Sequence, residues 1–148
     1  MSLTPMLTPQ EIQAAIISLM KSQPELVSAV QLEIREDNWM GVDFKYPAYR
    51  VAVNSLSPQT NGECRPLIFE VAWAVYCLAE STSSKDSSYL AGLAAAALMG
   101  KRLKSDTIVP VTRINIPDNG IMLPVPEGER FWRAEVNFRA QVKRSGMS

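Results

Sequence analysis

The chain has 148 residues, of which 47% are hydrophobic and 20% are charged, and its 15 basic and 15 acidic residues balance to a net charge of zero. This composition excludes a disordered or collagen-like chain and predicts one globular domain over residues 1–148, with flexible ends at 1–7 and 145–148. The sequence contains no histidine, so the commonest general base and metal ligand is missing. Its longest apolar run, residues 71–79, is too short to cross a bilayer, so no contact with a membrane is expected.

The charges are distributed unevenly along the chain. Residues 1–80 contain five basic and nine acidic residues, whereas residues 81–148 contain ten basic and six acidic residues. If the two halves form different faces of the folded domain, this uneven charge would favour head-to-tail contacts between copies. If the opposite charges mix on the folded surface, it would favour no such contact. Both interpretations stay open from the sequence.

A helix is predicted near the start of the chain. Thr8 is a typical N-cap, Pro9 suits the first helical position because it lacks an N–H, and Glu11 completes a capping box. Apolar residues then recur at helical spacing as far as Pro24. This pattern predicts an amphipathic helix of about 14 residues with one buried face.

Three strands are expected to follow this helix. Residues 30–35 and residues 49–54 alternate between apolar and polar side chains, which predicts two strands that each have one solvent-exposed face. Residues 55–63 contain Asn-Gly and several other turn formers, so a loop is predicted there. Residues 67–78 are almost entirely apolar, which predicts a central strand covered for much of its length on both faces.

Residues 89–103 are predicted to form a second helix, which has no polar face. One stripe is apolar in the usual way, and the opposite side contains Ala91, Ala95, Ala96 and Met99 where polar residues are expected. Such a helix packs on two sides, either within its own subunit or against another copy. Ala95, Ala96 and Met99 are therefore candidates for an interface.

The C-terminal part predicts two more strands and an unusual connection between them. Residues 108–116 and 131–142 are predicted as strands, the second from a regular alternation. Residues 117–128 are predicted as a loop because their prolines oppose regular structure, yet this segment is longer and more apolar than most loops. A partner protein or the chain's own core is expected to cover its apolar residues. These interface candidates are Ile121, Met122, Leu123 and Val125.

The order of elements, helix, three strands, helix and two strands, predicts an α+β fold. We expect a mostly antiparallel sheet of about five strands, with two main helices packed on one face.

Residue types that carry chemistry are sparse. The two cysteines have no metal-ligand spacing, Cys77 is expected to be a buried structural residue, and the patterns typical of phosphate-binding loops are absent. Carboxylates are the only candidates for a hard metal ion, as in a small magnesium-dependent enzyme. No cofactor is predicted, and scattered acidic residues are usually solvated surface. The acidic residues in question are Glu33, Glu36, Asp37, Asp43, Asp118, Glu127 and Glu129.

Basic residues are frequent in the second half of the chain, at 101–104 and between 130 and 144. A nucleic-acid-reading domain is usually strongly basic, and the sequence pI here is about 6.3. We therefore expect no sequence-specific contact with nucleic acid.

The order and character of the elements resemble one family over nearly the whole chain. The similarity includes the Thr8-Pro9-Gln10-Glu11 helix start, the strands at 46–51 and 69–76, the alanine-rich helix, and the Glu127-Gly128-Glu129 turn before residues 131–136. These features together resemble the tail terminator, or tail completion, proteins of tailed bacteriophages.

The resemblance implies a structural role rather than catalysis. Members of that family form a ring, usually of six subunits, that caps the finished tail tube and offers the surface to which the head or neck joins. The implied partners are further copies of the chain, the tail tube protein and a neck or head-completion protein. The implied location is the virion tail, with assembly in the cytoplasm of the bacterial host. A neck or head-closing adaptor is the alternative within the same assembly, and the magnesium-dependent enzyme is the alternative of another class.

Overall fold

The computed structural model describes residues 7–31, 33–37, 45–59, 68–81 and 83–145. The described part of the chain contains three helices and six strands. In chain order these are α1 (Pro9–Lys21), α2 (Pro24–Val30), β1 (Ile34–Glu36), β2 (Ala48–Gln59), β3 (Ile68–Glu80), α3 (Lys85–Leu98), β4 (Ile108–Pro110), β5 (Ile121–Gly128) and β6 (Phe131–Arg144).

All six strands belong to one sheet, in which β1, β2, β3, β6 and β4 follow one another and β5 also pairs with β6. β1 runs parallel to β2, and the other pairs are antiparallel. Because β5 and β4 pair with opposite ends of β6, the central strands are β3 and β6. The prediction of an α+β fold with a mostly antiparallel sheet is confirmed. The described part has six strands where about five were expected, one parallel pair, and the short helix α2 in addition to the two main helices.

The core lies between the helices and one face of the sheet. Trp73 and Val75 of β3 are paired with Phe138 and Val136 of β6, and all four are buried. The rings of Trp73 and Phe138 stack with their centroids 5.6 Å apart. Helix residues complete the same cluster. They include Ile12, Ile16, Met20, Leu26, Leu90, Ala94 and Leu98.

The start of α1 forms as its sequence predicts. The backbone N–H of Glu11 donates to Thr8 Oγ1, and the backbone N–H of Thr8 donates to Glu11 Oε1, both at 3.3 Å. Glu11 also lies 3.4 Å from the guanidinium of Arg144, at the end of β6. The capping box therefore fixes the helix start and links it to the last strand.

The strand predicted at residues 30–35 is wrong in its first half. Val30 is instead the last residue of α2, which begins with Pro24 at its first helical position and ends where Gln31 adopts a left-handed backbone (φ 51°). Leu32 lies outside the described residues. Only Ile34–Glu36 form a strand. The alternation was misleading because only Val30 of the predicted strand lies in α2, and a single residue cannot show the helical period that ends there.

The predicted loop at 55–63 is wrong where the structure describes it. β2 continues to Gln59 after a register shift between Val53 and Ser55, because β3 supplies pairing partners along this whole stretch. Residues 60–63 lie outside the described part. β3 matches its prediction in extent, although the helices cover only the face that carries Trp73 and Val75.

The second predicted helix begins and ends earlier than its pattern suggests. α3 starts at Lys85, within the polar serine-rich segment, and ends at Leu98. Gly100 then adopts a left-handed backbone (φ 84°), the usual conformation after a helix end. Leu103, predicted as helical, is fully buried in the turn that follows.

The strand predicted at residues 108–116 forms only in part. β4 covers Ile108–Pro110, and Asn115 makes an isolated bridge to Arg139. Between them the N–H groups of Val111 and Thr112 both donate to the carbonyl of Gln141, which interrupts the regular ladder. The terminal strand β6 is confirmed and extends from Phe131 to Arg144.

Both chain ends of the described part are attached to the fold. Leu7 is buried in the core, and the N–H of Ser145 donates to the carbonyl of Thr107 at 2.8 Å. The remainder of the ends predicted as flexible, residues 1–6 and 146–148, lies outside the described residues.

Cys77 is fully buried and its thiol pKa is raised by desolvation, while Cys64 lies outside the described part.

Candidate assembly surface

The segment predicted as the loop 117–128 is instead a short turn followed by β5, which forms a hairpin with β6. Arg130 in the hairpin turn has a left-handed backbone (φ 68°). Pro124 and Pro126 are tolerated because, among the described residues, β5 pairs only with β6, so the missing N–H groups do not interrupt a second ladder. The prediction of a loop failed because the position of a strand at the edge of a sheet depends on the tertiary structure and cannot be read from the local sequence.

Gly120 fixes the point at which the chain enters β5. Its N–H donates to the carbonyl of Pro117 at 2.9 Å, and its own carbonyl accepts from the N–H of Asn137 at 2.7 Å. A Cβ at this position would lie 2.6 Å from Cγ2 of Ile116, closer than real Cβ contacts. The chain can therefore make this turn only with a residue that has no side chain at position 120.

A bulge in β5 places Leu123 at the most exposed point of the hairpin. Met122 pairs with Glu135 and Val125 pairs with Arg133, so β5 carries one more residue than β6 between these two pairs. The extra residue makes β5 bend locally. Leu123 in this bulge is 88% exposed, the largest value among the exposed large hydrophobic residues of the described chain.

The apolar residues of β5 lie on both sides of the sheet edge. Ile121 pairs with the buried Val136 and therefore lies on the helix side, whereas Met122 and Val125 lie on the opposite side. All are exposed by 44% or more. We call Ile121, Met122, Leu123 and Val125 the β5 patch.

Charged residues border the β5 patch on the side without helices. Arg133 Nε lies 3.0 Å from Glu127 Oε1, and its guanidinium lies 5.2 Å from the ring centre of Tyr76. An apolar centre with a polar margin is the usual anatomy of a protein interface. Since Pro124 and Pro126 cannot donate hydrogen bonds at this edge, a partner would contact the side chains rather than add a strand.

The outer face of α3 is a second apolar surface. Ala96 and Met99 are exposed there, and Tyr89 and Gly92 continue the same helical stripe toward the start of the helix. Two residues that the sequence placed on the side opposite the apolar stripe differ from that prediction: Ala91 is buried, and Ala95 is partly buried and packs against the core. We call Tyr89, Gly92, Ala96 and Met99 the α3 stripe.

α3 and β5 contact each other, so the predicted helix and loop candidates lie on neighbouring elements. Tyr89, which is 65% exposed, was not among the predicted interface residues, although its spacing of seven residues from Ala96 places both on one helix face. The exposed Tyr46, whose ring centre lies 4.8 Å from that of Phe131, was not among them either. No pattern in the sequence distinguishes Tyr46 from a buried aromatic residue.

Two of the acidic residues considered for a metal ion are paired with arginine side chains instead. Glu33 Oε2 lies 3.3 Å from the guanidinium of the buried Arg50 and 3.5 Å from that of Arg35, and Glu127 pairs with Arg133. Asp43 lies outside the described residues. Within the described ranges, no three acidic or cysteine side chains converge on a point that could hold a metal ion.

Basic residues of the second half are engaged in several places by neighbouring side chains. Arg139 Nε donates to Asn115 Oδ1 at 3.1 Å, and Arg144 pairs with Glu11.

Among the described helices, none is both long enough and apolar enough to span a membrane.

The fold is similar to those of solved structures. A chain from the virion of a native gene transfer agent particle superposes with a TM-score of 0.64, with 14% identity over 89% of this chain and 94% of that chain. The bacteriophage SPP1 gp17 protein gives a TM-score of 0.44, with 16% identity over 95% of this chain and 93% of that chain. No protein-family model and no curated protein sequence matches the chain. The chain thus shares its fold, with little sequence identity, with a protein of the gene transfer agent virion.

Proposed function

We propose that this chain is a structural protein of a phage or phage-like virion, and that it forms a ring which caps the tail tube and joins it to the neck or head. The observation that carries the proposal is the β5 patch. A small domain exposes four large apolar side chains on one bulged strand, in a fold shared with a protein of a gene transfer agent virion. Several large apolar side chains left exposed on one short strand are typical of a protein interface.

The energetics favour a contact that is repeated in several subunits. Burying one large apolar side chain contributes up to about 1.5–3 kcal/mol, from which the entropic cost of association must be subtracted. One β5 patch would therefore bind weakly. Several copies held in one ring would bind the end of a tube with much greater avidity, because each further contact becomes intramolecular.

In this proposal the β5 patch and the α3 stripe contact different partners. The β5 patch contacts the tail tube protein, and the α3 stripe contacts the adjacent subunit of a ring of six. The neck or head-completion protein binds the opposite side of the ring. The chain acts without a cofactor, catalyses no reaction, reads no nucleic-acid sequence and assembles in the cytoplasm of the host before it becomes part of the virion tail.

Particles made without this chain test the proposal. A tail terminator limits tube growth, so its loss leaves overlong tails in negative-stain electron microscopy. A neck adaptor acts after the tail is complete, so its loss leaves tails of normal length without attached heads. Addition of the purified chain to growing tubes provides the complementary measurement, because a terminator stops their elongation. Tails of normal length with heads attached would refute both roles.

A further inference from the structure

We infer that copies of this chain join head to tail: the exposed turn after α3 of one copy seats a cationic side chain in a cleft at the start of α3 of the next. This inference rests on the proposed ring and identifies the subunit contact within it. The inference is based on two patches of opposite charge at the two ends of α3.

The cleft lies where α3 begins and where β3 and the β5–β6 hairpin end. Its volume is about 430 Å³, which is within the range of sites that enclose a small ligand or a long side chain. Its lining includes the exposed rings of Tyr46 and Tyr89 and the side chains of Glu80, Asp86 and Arg130. The cleft is therefore aromatic on its walls and negative in net charge.

The carboxylates in this cleft are available to a partner. Within the described residues, neither the carboxylate of Glu80 nor that of Asp86 forms an ion pair or a hydrogen bond. The pKa of Tyr46 is raised by burial and then by the negative charges of Glu127 and Glu80, which is consistent with a negative potential at the cleft. A guanidinium would gain both charge-assisted hydrogen bonds and contact with aromatic faces here.

The complementary patch is a basic turn formed by Lys101, Arg102 and Lys104. All three side chains are exposed, and none forms an ion pair within the described residues. Leu103 between them is fully buried and anchors the turn. The N–H of Ile114 donates to the carbonyl of Lys101 at 2.8 Å. The backbone of the turn is thus held in place before a partner binds, which reduces the entropic cost of the contact.

The two patches are far apart on one subunit, because the 14 residues of α3 separate them by about 21 Å. Each patch also has an exposed apolar side chain beside it: Tyr89 is 65% exposed at the cleft and Met99 is 57% exposed at the turn. Two different complementary patches make a heterologous contact, which generates a ring when the rotation between neighbouring copies closes, as the proposed function requires.

A second copy is the occupant because the chain itself supplies the opposite charge and a matching apolar neighbour. Among the three cations, we assign Arg102 to the cleft. A guanidinium is planar, stacks on aromatic rings and donates several hydrogen bonds to carboxylates, whereas an ammonium group is more strongly hydrated. Lys101 and Lys104 then lie at the margin of the contact.

Charge reversal followed by mixing tests this contact. Arg102→Glu gives a turn variant, and Glu80→Lys with Asp86→Lys gives a cleft variant. Each variant alone would place like charges together at the contact. Under conditions where the unmodified chain forms rings, each variant is therefore expected to elute as single subunits. Size-exclusion chromatography with light scattering measures this. In an equal mixture every turn can meet a cleft of opposite charge, so the ring-sized species is expected to return.

Two further variants complete the experiment. Lys21→Glu reverses an exposed charge at the end of α1 and is expected to leave assembly unchanged. Arg102→Gln removes the charge without reversing it and is expected to raise the concentration needed for assembly about tenfold. Circular dichroism melting of every variant shows whether the subunit fold is retained.

The outcomes separate this contact from the proposed function. Ring formation by both variants alone would overturn the head-to-tail contact, and so would a mixture of folded variants that stays dissociated. If the cleft variant fails to fold, unchanged assembly of Arg102→Gln overturns the contact by itself. An unmodified chain that never forms a ring, in solution or on tubes, would instead overturn the proposed function.

Discussion

The hydroxyl of Tyr49 donates a 2.8 Å hydrogen bond to the backbone carbonyl of Leu90, and this bond connects β2 to the helix that carries the α3 stripe. Both residues are buried. Burial raises the pKa of the Tyr49 hydroxyl, so the group stays protonated and remains a donor at neutral pH. The position of α3 over the sheet therefore depends on a specific polar contact as well as on packing.

Tyr49→Phe is expected to destabilise the subunit by about 1 kcal/mol, because it removes one buried hydrogen bond and leaves the ring in place. The corresponding fall in melting temperature is about 2–4 °C for a domain of this size. Tyr89→Phe is the matched control, since Tyr89 is exposed, and it should melt like the unmodified chain. Equal melting temperatures for Tyr49→Phe and the unmodified chain would mean that the bond contributes nothing to stability.

Glu11→Gln is expected to reduce stability by about 0.5–1 kcal/mol at neutral pH, because glutamine can complete the capping box but carries no charge to pair with Arg144 or to interact favourably with the start of α1. The Thr107 hydroxyl, the Thr8 N–H and the charge of Arg144 hold the pKa of Glu11 below its usual 4.5, against the opposing effect of burial. A lowered carboxyl pKa stabilises the folded state above the unfolded pKa, and this contribution disappears as the pH falls through the folded pKa.

Urea denaturation at neutral pH and at about pH 3 measures this effect. The advantage of the unmodified chain over Glu11→Gln should be present at neutral pH and should shrink in acid. Glu25→Gln is the control, since Glu25 lies in the first turn of α2, is exposed and forms no ion pair within the described residues. An advantage that persists unchanged in acid would contradict the assigned role of the Glu11 charge.

Gly120→Ala is expected to destabilise the subunit by about 1–3 kcal/mol, because the added Cβ would overlap Cγ2 of Ile116 and crowd the carbonyls of Pro117 and Asn137. Gly92→Ala is the contrasting change. It adds a methyl group to open space on the surface of α3 and is expected to stabilise the subunit by about 0.5–1 kcal/mol. Thermal melting of dissociated subunits compares the two, and similar effects from both would refute the argument from close approach.

Ile121→Ser with Leu123→Ser is expected to leave the melting temperature of dissociated subunits nearly unchanged, since both side chains are already exposed. The same change should abolish capping, which electron microscopy would detect as overlong tails. Val111→Ser provides the control, because Val111 is an exposed apolar residue outside the β5 patch. Tails of normal length from the double variant would show that the β5 patch has no part in capping.

Ala96→Glu and Ala95→Glu are expected to act differently. Ala96 is exposed, so a glutamate there should keep the subunit stable and block ring formation if the α3 stripe is at the subunit contact. Ala95 packs against the core, so the same change there should lower the melting temperature of the subunit itself. Light scattering and melting of both variants test this, and intact rings from Ala96→Glu would place the α3 stripe outside the contact.

Local interactions determined the elements that the sequence predicted well. The capping box of Thr8 and Glu11 involves residues three positions apart, so it forms wherever that segment is helical. The alternation in β6 is long enough to identify a strand without knowledge of its neighbours. The burial of Cys77 follows from an apolar strand that has to lie inside a domain of this size.

Only the tertiary structure decided which apolar residues remain exposed. The sequence marked the segment with Leu123 as unusually apolar, but its prolines favoured a loop over a strand. The segment becomes β5 because β6 pairs with it on one side, and the bulge opposite Ala134 then directs Leu123 outward. Likewise, the sequence showed that Ala95 and Ala96 both lie on an apolar helix, whereas the angle at which α3 packs on the sheet buries one against the core and exposes the other. Pairing and packing join residues that are distant along the chain, so no local pattern could specify these outcomes.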